Sequence, residues 1–384
     1  MARLYVVRHA EAEGNLYRRA HGHYDSLVTP NGLAQIEALR RRFASVRFDG
    51  VYASDLGRAR RTAGALTPAD GRAVRTLSAL REIHLGAWED RPWGELARAD
   101  GARYAVFARD PWRFSVPEGE SMPEVWDRVY EAVRAIAAAH PSPSETVGIV
   151  SHGVAIRALT ARLSGLPPAR LAEIPHSDNT SVNCVDWDGA GAPVIRALGD
   201  GAHLGALSTL ARQHWWRSSQ TAEADVNLWF RPVCLPEDAD LAYAFRRDAW
   251  VSVYGHTRGL SESATRAHTV RMAAAHPHAV VFAMRGETAV GLLELDVQAL
   301  TPDNTGHLSL VYLRADARGR MLGAQLVGHA VSVYRSLGRR ALHLRVAESN
   351  RPARRLYEKV GFVHHSREDA LHGPLFVMQM PIVS

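Results

Sequence analysis

The sequence predicts an α/β protein with two domains. Short apolar runs alternate with amphipathic stretches along the 384 residues, and a polar, weakly periodic stretch near residues 199–226 separates two such series. A chain of this length can form two or three domains, each with its own core. Hydrophobic residues make up 46% and charged residues 22%, which is typical of a globular protein and not of a disordered chain.

The first half has the pattern of strands that alternate with helices. Its second helix has a clear start, because Ser121 is a suitable N-cap, Pro123 suits the first turn and Glu124 completes a capping box. We therefore predict that Glu124 caps this helix. The strands are predicted at residues 4–7, 51–53 and 147–150, and the helices at residues 32–43 and 124–139.

The second half repeats the alternation after a connecting segment. We predict a first domain at residues 1–200 with an insertion at 86–120, a linker or connecting helix at 201–226, and a second domain at 227–384. A helix over residues 204–216 would make Trp215 and Trp216 packing residues. Strands of the second domain are predicted at residues 228–234, 280–285, 289–296, 307–313, 341–346 and 375–380.

Charge and cysteine content exclude several classes of partner. The formal net charge is +6, but basic residues are scattered among acidic ones, so we predict no nucleic-acid partner. No apolar run approaches the roughly 18 residues of a membrane helix, so we also predict no membrane partner. Two cysteines 50 residues apart fit a reducing compartment, and the start lacks a signal-peptide pattern, so we expect a cytoplasmic protein. A homo-oligomer is one option that the sequence leaves open.

Basic and imidazole side chains follow three predicted strands of the first half. Arg8 and His9 follow the first strand, a helix carrying Arg58 follows the second, and His152 follows the third. Because ligands bind beyond the carboxyl ends of strands in open α/β sheets, we expect these side chains to meet at one edge. Guanidinium groups and a helix N-terminus suit a phosphate dianion. The sequence therefore predicts a phosphate pocket.

Four motifs of the first half resemble the histidine phosphatase superfamily. They are Arg8-His9-Ala10-Glu11 with Asn15, Ser54-Asp55-Leu56-Gly57-Arg58-Ala59 with Thr62, Leu80-Arg81-Glu82-Ile83 with Gly86 and Trp88, and Ser151-His152-Gly153. Within the superfamily, the sequence looks most like small bacterial phosphatases related to α-ribazole phosphatase and relatives of phosphoglycerate mutase. The resemblance implies a three-layer α/β/α domain.

The resemblance also implies a role for each motif residue. His9 would attack phosphorus as a neutral imidazole and form a phosphohistidine, while Arg8, Arg58 and His152 hold the phosphoryl oxygens. Glu82 would protonate the leaving alkoxide and then accept a proton from water, although a loop carboxylate can also be merely solvated. Asn15 would add a hydrogen bond to the substrate or cap a helix. No metal is required by this chemistry.

An aromatic-rich insertion lies between Gly86 and Gly119. Such rings usually form the core of a small subdomain, but in this superfamily the insertion covers the active site and selects the substrate. It lacks the dense basic cluster that a bisphosphate would favour, so we predict a small-molecule phosphate monoester as substrate. The rings belong to Trp88, Trp93, Tyr104, Phe107, Trp112 and Phe114.

The second half resembles the GNAT-type N-acetyltransferases. Its loop Arg318-Gly319-Arg320-Met321-Leu322-Gly323-Ala324 looks like the family's acetyl-CoA loop, except that Met321 stands where the family has its first glycine, and could crowd the pyrophosphate. The segment from Asn350 to Phe362, with Leu356-Tyr357 and Gly361-Phe362, is similar to a second family motif. The family fold implies a mixed, mostly antiparallel sheet.

The same resemblance implies functional residues in the second domain. Arg318, Gly319, Arg320, Gly323, Ala324 and Asn350 would bind acetyl-CoA as cosubstrate. Tyr357 would protonate the departing thiolate. Glu294 is one candidate for the general base, and a water chain or another carboxylate is the alternative.

Together these motifs predict a bifunctional enzyme. The first activity would be a metal-independent phosphomonoester hydrolase, and the second an acetyl-CoA-dependent N-acetyltransferase acting on a small amine acceptor. Two alternatives stay open: the second domain could sense acyl-CoA without turnover, and the first could be a phosphomutase.

Overall fold

The computed structural model describes residues 1–67, 73–213, 226–299 and 304–383. They form two compact units, of which the first takes most of the chain up to residue 214 and the second most of the remainder. Both units are mixed α/β structures, which confirms the predicted fold class. Within the described residues, no helix combines the length and apolarity needed to cross a bilayer.

The first unit contains a six-stranded sheet in the order β3-β2-β4-β1-β5-β6. Strands β1 to β4 run parallel, and β5 and β6 join the β1 edge in antiparallel fashion. The strands are β1 Ala2–Arg8, β2 Gly50–Ala53, β3 Arg75–Thr76, β4 Thr146–Ser151, β5 Val182–Trp187 and β6 Val194–Asp200.

Helices and short 3₁₀ turns connect these strands. The helices are α1 Glu13–Tyr17, α2 Pro30–Arg42, α3 Gly57–Ala63, α4 Trp93–Ala99, α5 Gly101–Arg109, α6 Met122–Ala138, α7 Gly153–Leu163 and α8 Thr209–Gln213. The 3₁₀ turns are Ser78–Leu80, Gly86–Trp88, Pro111–Arg113, Pro168–Glu173 and Gly205–Leu207. Apolar residues of α2 and α3 pack on one face of the sheet with Val7 and Val150.

Two helix starts show how local chemistry sets the boundaries. Helix α2 begins two residues before the predicted position, because Thr29 Oγ1 accepts from the Gly32 amide and Pro30 occupies the first turn. At α6 the Glu124 carboxylate accepts from the Ser121 amide at 2.7 Å, which completes the capping box. The prediction that Glu124 is a capping residue is confirmed.

The segment after β6 differs from the predicted helix over residues 204–216. A 3₁₀ turn comes first, and helix α8 starts only at Thr209, because Ser208 Oγ accepts from the Ala211 amide and caps it there. Residues 201–213 belong to the first unit. Trp215, Trp216 and the polar run at 218–223 lie outside the described residues.

The second unit contains a seven-stranded sheet in the order β12-β13-β11-β10-β9-β8-β7. Of the strand pairs in the described residues, β10–β11 is parallel and the other five are antiparallel, so the sheet is mixed and mostly antiparallel as predicted. The strands are β7 Trp229–Pro232, β8 Val280–Arg285, β9 Thr288–Asp296, β10 Thr305–Leu313, β11 Ala341–Ala347, β12 Val363–Glu368 and β13 Leu375–Pro381.

Among the described residues of this unit, four helices cover the two faces of the sheet. Helices α11 and α12 bury Leu326, Val327 and Val360 on one face, while α9 and α10 bury Phe245 and Met272 on the other. A 3₁₀ turn, Ala315–Ala317, precedes α11. The helices are α9 Ala239–Tyr254, α10 Glu262–Ala275, α11 Leu322–Ser336 and α12 Arg351–Val360.

Candidate active site

Parallel pairing brings two histidines together at the carboxyl edge of the first sheet. Arg8, the last residue of β1, is in register with Ser151, the last residue of β4. His9 and His152 therefore follow neighbouring strand ends, and their ring centroids lie 5.0 Å apart. His9 is 5% exposed and His152 is fully buried. This edge of the sheet has the buried imidazole pair that the sequence predicted.

The hydrogen bond of His9 fixes its tautomer. Its Nδ1 lies 2.7 Å from the carbonyl oxygen of Ala10, and a carbonyl only accepts, so Nδ1 carries the proton. A neutral ring then has an unprotonated Nε2 with a free electron pair. Backbone contacts hold the residue in place, because the His9 amide donates to Ser151 O and Asn179 Nδ2 donates to His9 O.

Burial keeps both histidines neutral. Desolvation, followed by the positive charges of Arg58 and Arg8, holds the pKa of His9 well below 6.5. Desolvation and the Arg58 charge likewise hold the pKa of His152 well below 6.5. Neither ring nitrogen of His152 has a hydrogen-bond partner among the described residues. Buried polar atoms normally have partners, so His152 is placed to contact a polar ligand.

Two guanidinium groups, those of the buried Arg58 and the partly buried Arg8, supply positive charge beside these rings. Arg58 on α3 is 2% exposed, and its Nη1 and Nη2 donate to the carbonyls of Tyr24 and Gly22 at 2.8 and 2.6 Å. Arg8 Nη1 donates to Ser177 O at 2.5 Å, while its Nε is buried without a partner in the described part of the chain. Burial lowers the pKa of both arginines below its ordinary value.

Gly153 allows Arg8 to lie against the start of α7. A Cβ at this position would stand 3.3 Å from Arg8 Nε and 3.4 Å from Cζ, which is tighter than ordinary contact. The first turn of an eleven-residue helix, with His152 as its N-cap, therefore faces the Arg8 guanidinium. The amides and dipole of this turn favour an anion, as do the arginines.

Glu82 occupies that helix N-terminus. Its carboxylate accepts from the amides of Val154, at 3.1 Å to each oxygen, and Ala155, at 3.0 Å. The Ile83 amide donates to Oε1 at 3.1 Å, and the residue is 9% exposed. Glu82 is therefore a buried carboxylate that backbone amides hold in place close to His152, and it is not a solvated one.

Asn15 has a structural role in this arrangement. It lies in α1, and its Oδ1 accepts from the Ala12 amide at 3.1 Å and from Asn179 Nδ2 at 3.3 Å. Asn179 Nδ2 also donates to the carbonyl oxygen of His9. Asn15 is therefore linked to His9 through Asn179. The sequence did not reveal Asn179, because it lies 170 residues from His9 and outside the four motifs.

The predicted insertion contains a compact aromatic cluster. Trp88 and Phe114 rings lie 5.2 Å apart, Phe107 and Phe114 rings 4.8 Å apart, and Trp112 contacts Trp126 on α6 at 5.5 Å. Trp88 Nε1 donates to Asp100 at 3.1 Å. Trp88, Phe107 and Phe114 therefore pack on one another, and Trp112 packs on α6. Trp93 and Tyr104 lie on α4 and α5.

In the second unit, the loop before α11 has two residues in the left-handed region. Gly319 has φ 81° and Met321, the N-cap of the helix, has φ 59°. Met321 therefore adopts the backbone conformation for which glycine is best suited, and its side chain packs against the hydrophobic core. Arg318 Nε donates to Leu313 O at 2.8 Å, and both Arg318 and Arg320 are exposed.

The remaining predicted coenzyme residues have structural contacts. Gly323 lets the two helices approach, since a Cβ there would stand 2.6 Å from Leu356 of α12. Ala324 is buried in the core, and its amide donates to Met321 O. Asn350 is the N-cap of α12, with Oδ1 accepting from the Ala353 amide at 3.3 Å. The loop residues 318–320 remain the exposed part of the predicted site.

The two predicted acid–base residues of the second unit are both buried. Tyr357 is 7% exposed, and desolvation raises its pKa above the usual 10. Glu294 on β9 is fully buried and forms an ion pair with Arg246 of α9. Its Oε1 also accepts from Thr269 Oγ1 at 3.2 Å. An ion-paired carboxylate is a poor proton acceptor, so the geometry does not favour Glu294 as the base.

The neutral histidines predict how stability depends on pH. In the unfolded chain these rings bind protons near pH 6.5, whereas His9 and His152 in the folded protein do not until much lower pH. The unfolded state therefore binds more protons below pH 6.5, and stability falls as the pH falls, by up to about 1.4 kcal/mol per pH unit for each ring. Urea titrations at pH 7.5, 6.5 and 5.5 measure this loss. A slope that stays the same in His152→Asn would contradict the assignment.

Comparison with known proteins agrees with the two units. Residues 4–200 match the model of the Histidine phosphatase superfamily (branch 1), and residues 243–362 match that of the Acetyltransferase (GNAT) family. Both resemblances seen in the sequence are thereby confirmed.

Individual relatives match the first half. The protein named Probable phosphoglycerate mutase GpmB from Serratia proteamaculans (strain 568) is 34% identical over 219 residues, covering 55% of this chain and 100% of that protein. Its namesake from Yersinia pestis (strain Pestoides F) is 33% identical over 218 residues, with the same coverages of 55% and 100%. A solved structure, Bacillus stearothermophilus YhfR, has 33% sequence identity and a TM-score of 0.49, covering 53% of this chain and 99% of that one. The chain therefore belongs to the histidine phosphatase superfamily (branch 1), and its second half carries a domain of the GNAT acetyltransferase family.

Proposed function

We propose that the first domain hydrolyses a small-molecule phosphate monoester through a phosphohistidine intermediate. The observation that carries this proposal is His9, whose protonated Nδ1 leaves Nε2 free beside the buried Arg58, the partly buried Arg8 and His152, whose ring has no hydrogen-bond partner among the described residues. Nε2 attacks phosphorus, an N–P bond forms, and the ester P–O bond breaks. Arg8, Arg58 and His152 hold the oxygens of the phosphoryl group during transfer.

Glu82 moves the protons in this scheme. In its protonated form it gives a proton to the leaving alkoxide, which departs as the alcohol. The resulting carboxylate then accepts a proton from the attacking water as the N–P bond breaks and phosphate forms. This returns both His9 and Glu82 to their starting states. The amides of α7 hold the carboxyl group next to His152 throughout.

A screen for phosphate release tests the hydrolase directly. The purified protein is incubated with a panel of phosphate monoesters that includes 2- and 3-phosphoglycerate, since two relatives are named probable phosphoglycerate mutases. We expect free phosphate from at least one ester. Formation of a phosphoisomer without free phosphate would favour the alternative phosphomutase. Neither product from any ester would overturn both.

We further propose that the second domain transfers an acetyl group from acetyl-CoA to a small amine. The GNAT match supports this activity, and the exposed loop 318–320 at the start of the fifteen-residue helix α11 suits a pyrophosphate. In this proposal Tyr357, a buried residue of α12, gives its proton to the departing thiolate, as the family resemblance implies.

His268 is a better candidate than Glu294 for the general base. It lies on α10, with Nε2 at 3.2 Å from Ser309 Oγ and 3.8 Å from Glu294 Oε2. Burial and the charge of Arg246 lower its pKa from 6.5, so the ring is neutral at pH 7 and can accept a proton.

Release of free thiol from acetyl-CoA with a panel of amines tests the proposed acetyltransferase activity. Binding of acetyl-CoA without thiol release would favour the alternative acyl-CoA sensor.

Substitution of Met321 tests whether this residue obstructs the coenzyme. Met321 already has the left-handed conformation and packs its side chain on the core, so we expect Met321→Gly to bind acetyl-CoA within about threefold of the parent. A β-branched residue is strongly disfavoured in this conformation, so Met321→Val should weaken binding by about tenfold. Calorimetry with acetyl-CoA measures both. Much tighter binding by Met321→Gly would mean that the methionine crowds the ligand.

A further inference from the structure

We propose that Glu89 is a positioning residue that orients Arg58 for phosphoryl transfer. Glu89 follows Trp88 in the chain, and no role was assigned to it from the sequence. Its carboxylate accepts four backbone amides: those of His23 and Leu85 bind Oε1 at 2.7 and 2.9 Å, and those of Gly22 and Tyr24 bind Oε2 at 3.1 and 2.9 Å. The Glu89 carboxylate thus holds the backbone of residues 22–24 and of Leu85 in place.

The loop that Glu89 holds is the one that receives Arg58. The carbonyls of Gly22 and Tyr24 accept from Arg58 Nη2 and Nη1 at 2.6 and 2.8 Å. The amides of these same two residues donate to Glu89. Each of the two residues therefore bonds Glu89 on one side and Arg58 on the other. The orientation of the guanidinium depends on where this loop is held.

Gly22 lies in close contact with Glu89 and with the backbone of Ile83. A Cβ on Gly22 would stand 2.1 Å from Ile83 O and 2.5 Å from Glu89 Oε1, so no other residue fits without displacement. The same region supports the Glu82 segment, since His23 Nε2 donates to Glu82 O at 3.0 Å. Glu89 thereby joins loop 22–24 to segment 82–85. Its negative charge also acts on the buried Arg58 guanidinium, as do those of Glu82 and Asp25.

The inference rests on the proposed hydrolase function, and a double-mutant cycle tests it separately. In Glu89→Gln the side-chain NH₂ would face backbone amides that are themselves donors, so the loop must shift. We expect kcat/KM for phosphate release to fall by about 10²-fold, because small misplacements of catalytic groups have effects of that size. In an Arg58→Ala background the same substitution should change kcat/KM by less than about twofold, since the group it positions is gone.

Matched variants distinguish positioning from a general structural role. Asp188→Asn alters another carboxylate that accepts two amides, those of Ala190 and Gly191, in an exposed turn, and should leave kcat/KM unchanged. Glu89→Asp keeps the charge and should fall between the parent and Glu89→Gln. If Glu89→Gln does not fold, the cycle is run with Glu89→Asp. Equal losses in both Arg58 backgrounds would overturn the inference, whereas a parent protein that releases no phosphate would overturn the proposed hydrolase itself.

Discussion

Replacing His9 by alanine is expected to lower the rate of phosphate release by at least about 10⁴-fold, because it removes the Nε2 atom that attacks phosphorus in the proposed mechanism. In the parent protein, labelled substrate should leave an acid-labile, base-stable phosphohistidine on His9. In His9→Ala that label should be absent. Rapid quench followed by peptide mapping measures both results.

A second histidine provides the control for this variant. His140 lies before the N-terminal end of β4, whereas His152 follows the C-terminal end. The ring nitrogens of His140 lie 3.1 Å from Tyr52 Oη and 3.0 Å from a carboxylate oxygen of Glu145. His140→Gln should therefore keep the phosphohistidine and the rate of the parent at a temperature where both are folded. Label that persists in His9→Ala would show that another residue is the nucleophile, and would overturn the proposed mechanism.

Glu82→Gln is expected to show the second largest effect, and the effect should depend on the leaving group. An alkyl phosphate releases a strongly basic alkoxide, so loss of the acid should slow hydrolysis by about 10²- to 10⁴-fold. With p-nitrophenyl phosphate the leaving phenolate needs no proton, and the formation of the phosphohistidine should be nearly unaffected. Single-turnover rates for the two substrates measure the difference.

Glu124→Gln is the matched control for this prediction. Its carboxylate also accepts a backbone amide, but at the exposed start of α6, so the substitution should leave both rates unchanged. Equal losses with alkyl and aryl esters in Glu82→Gln would mean that Glu82 only supports the structure around His152. That outcome would leave the nucleophile in place and remove the assigned acid.

The part of the site that follows strand ends could be predicted from the sequence. The carboxyl ends of the strands in such a sheet share one edge, so the positions of His9 and His152 after two strands predicted that they lie close together. The parallel pairing of β1 with β4 places them side by side. The antiparallel strands Val182–Trp187 and Val194–Asp200 were not predicted. The second of these is an edge strand without a buried residue, and its sequence Val-Ile-Arg-Ala-Leu-Gly-Asp lacks the strict alternation of apolar and polar residues that identifies a half-buried strand.

The supporting residues could not be predicted, because their contacts join distant parts of the chain. Glu89 binds amides 65 to 67 residues away, and Asn179 reaches His9 across 170 residues. Neither residue type is unusual at its position. A hydrogen bond to a backbone group cannot be recognised from the sequence, because every residue has a backbone. Met321 illustrates the converse case, since its residue type suggested obstruction while its backbone angle shows the glycine-like conformation.

The ring nitrogens of His152 have no hydrogen-bond partner in the part of the chain that the structure describes, and this implies a trade-off between activity and folding stability. A buried polar group without a partner weakens a fold, and an apolar ring of similar volume at this position would lack that penalty. The protein thus retains, at the pocket proposed for phosphate, a buried group to which the described residues offer no hydrogen bond. Selection for thermal robustness alone would remove this imidazole, and with it a contact on which the proposed chemistry depends.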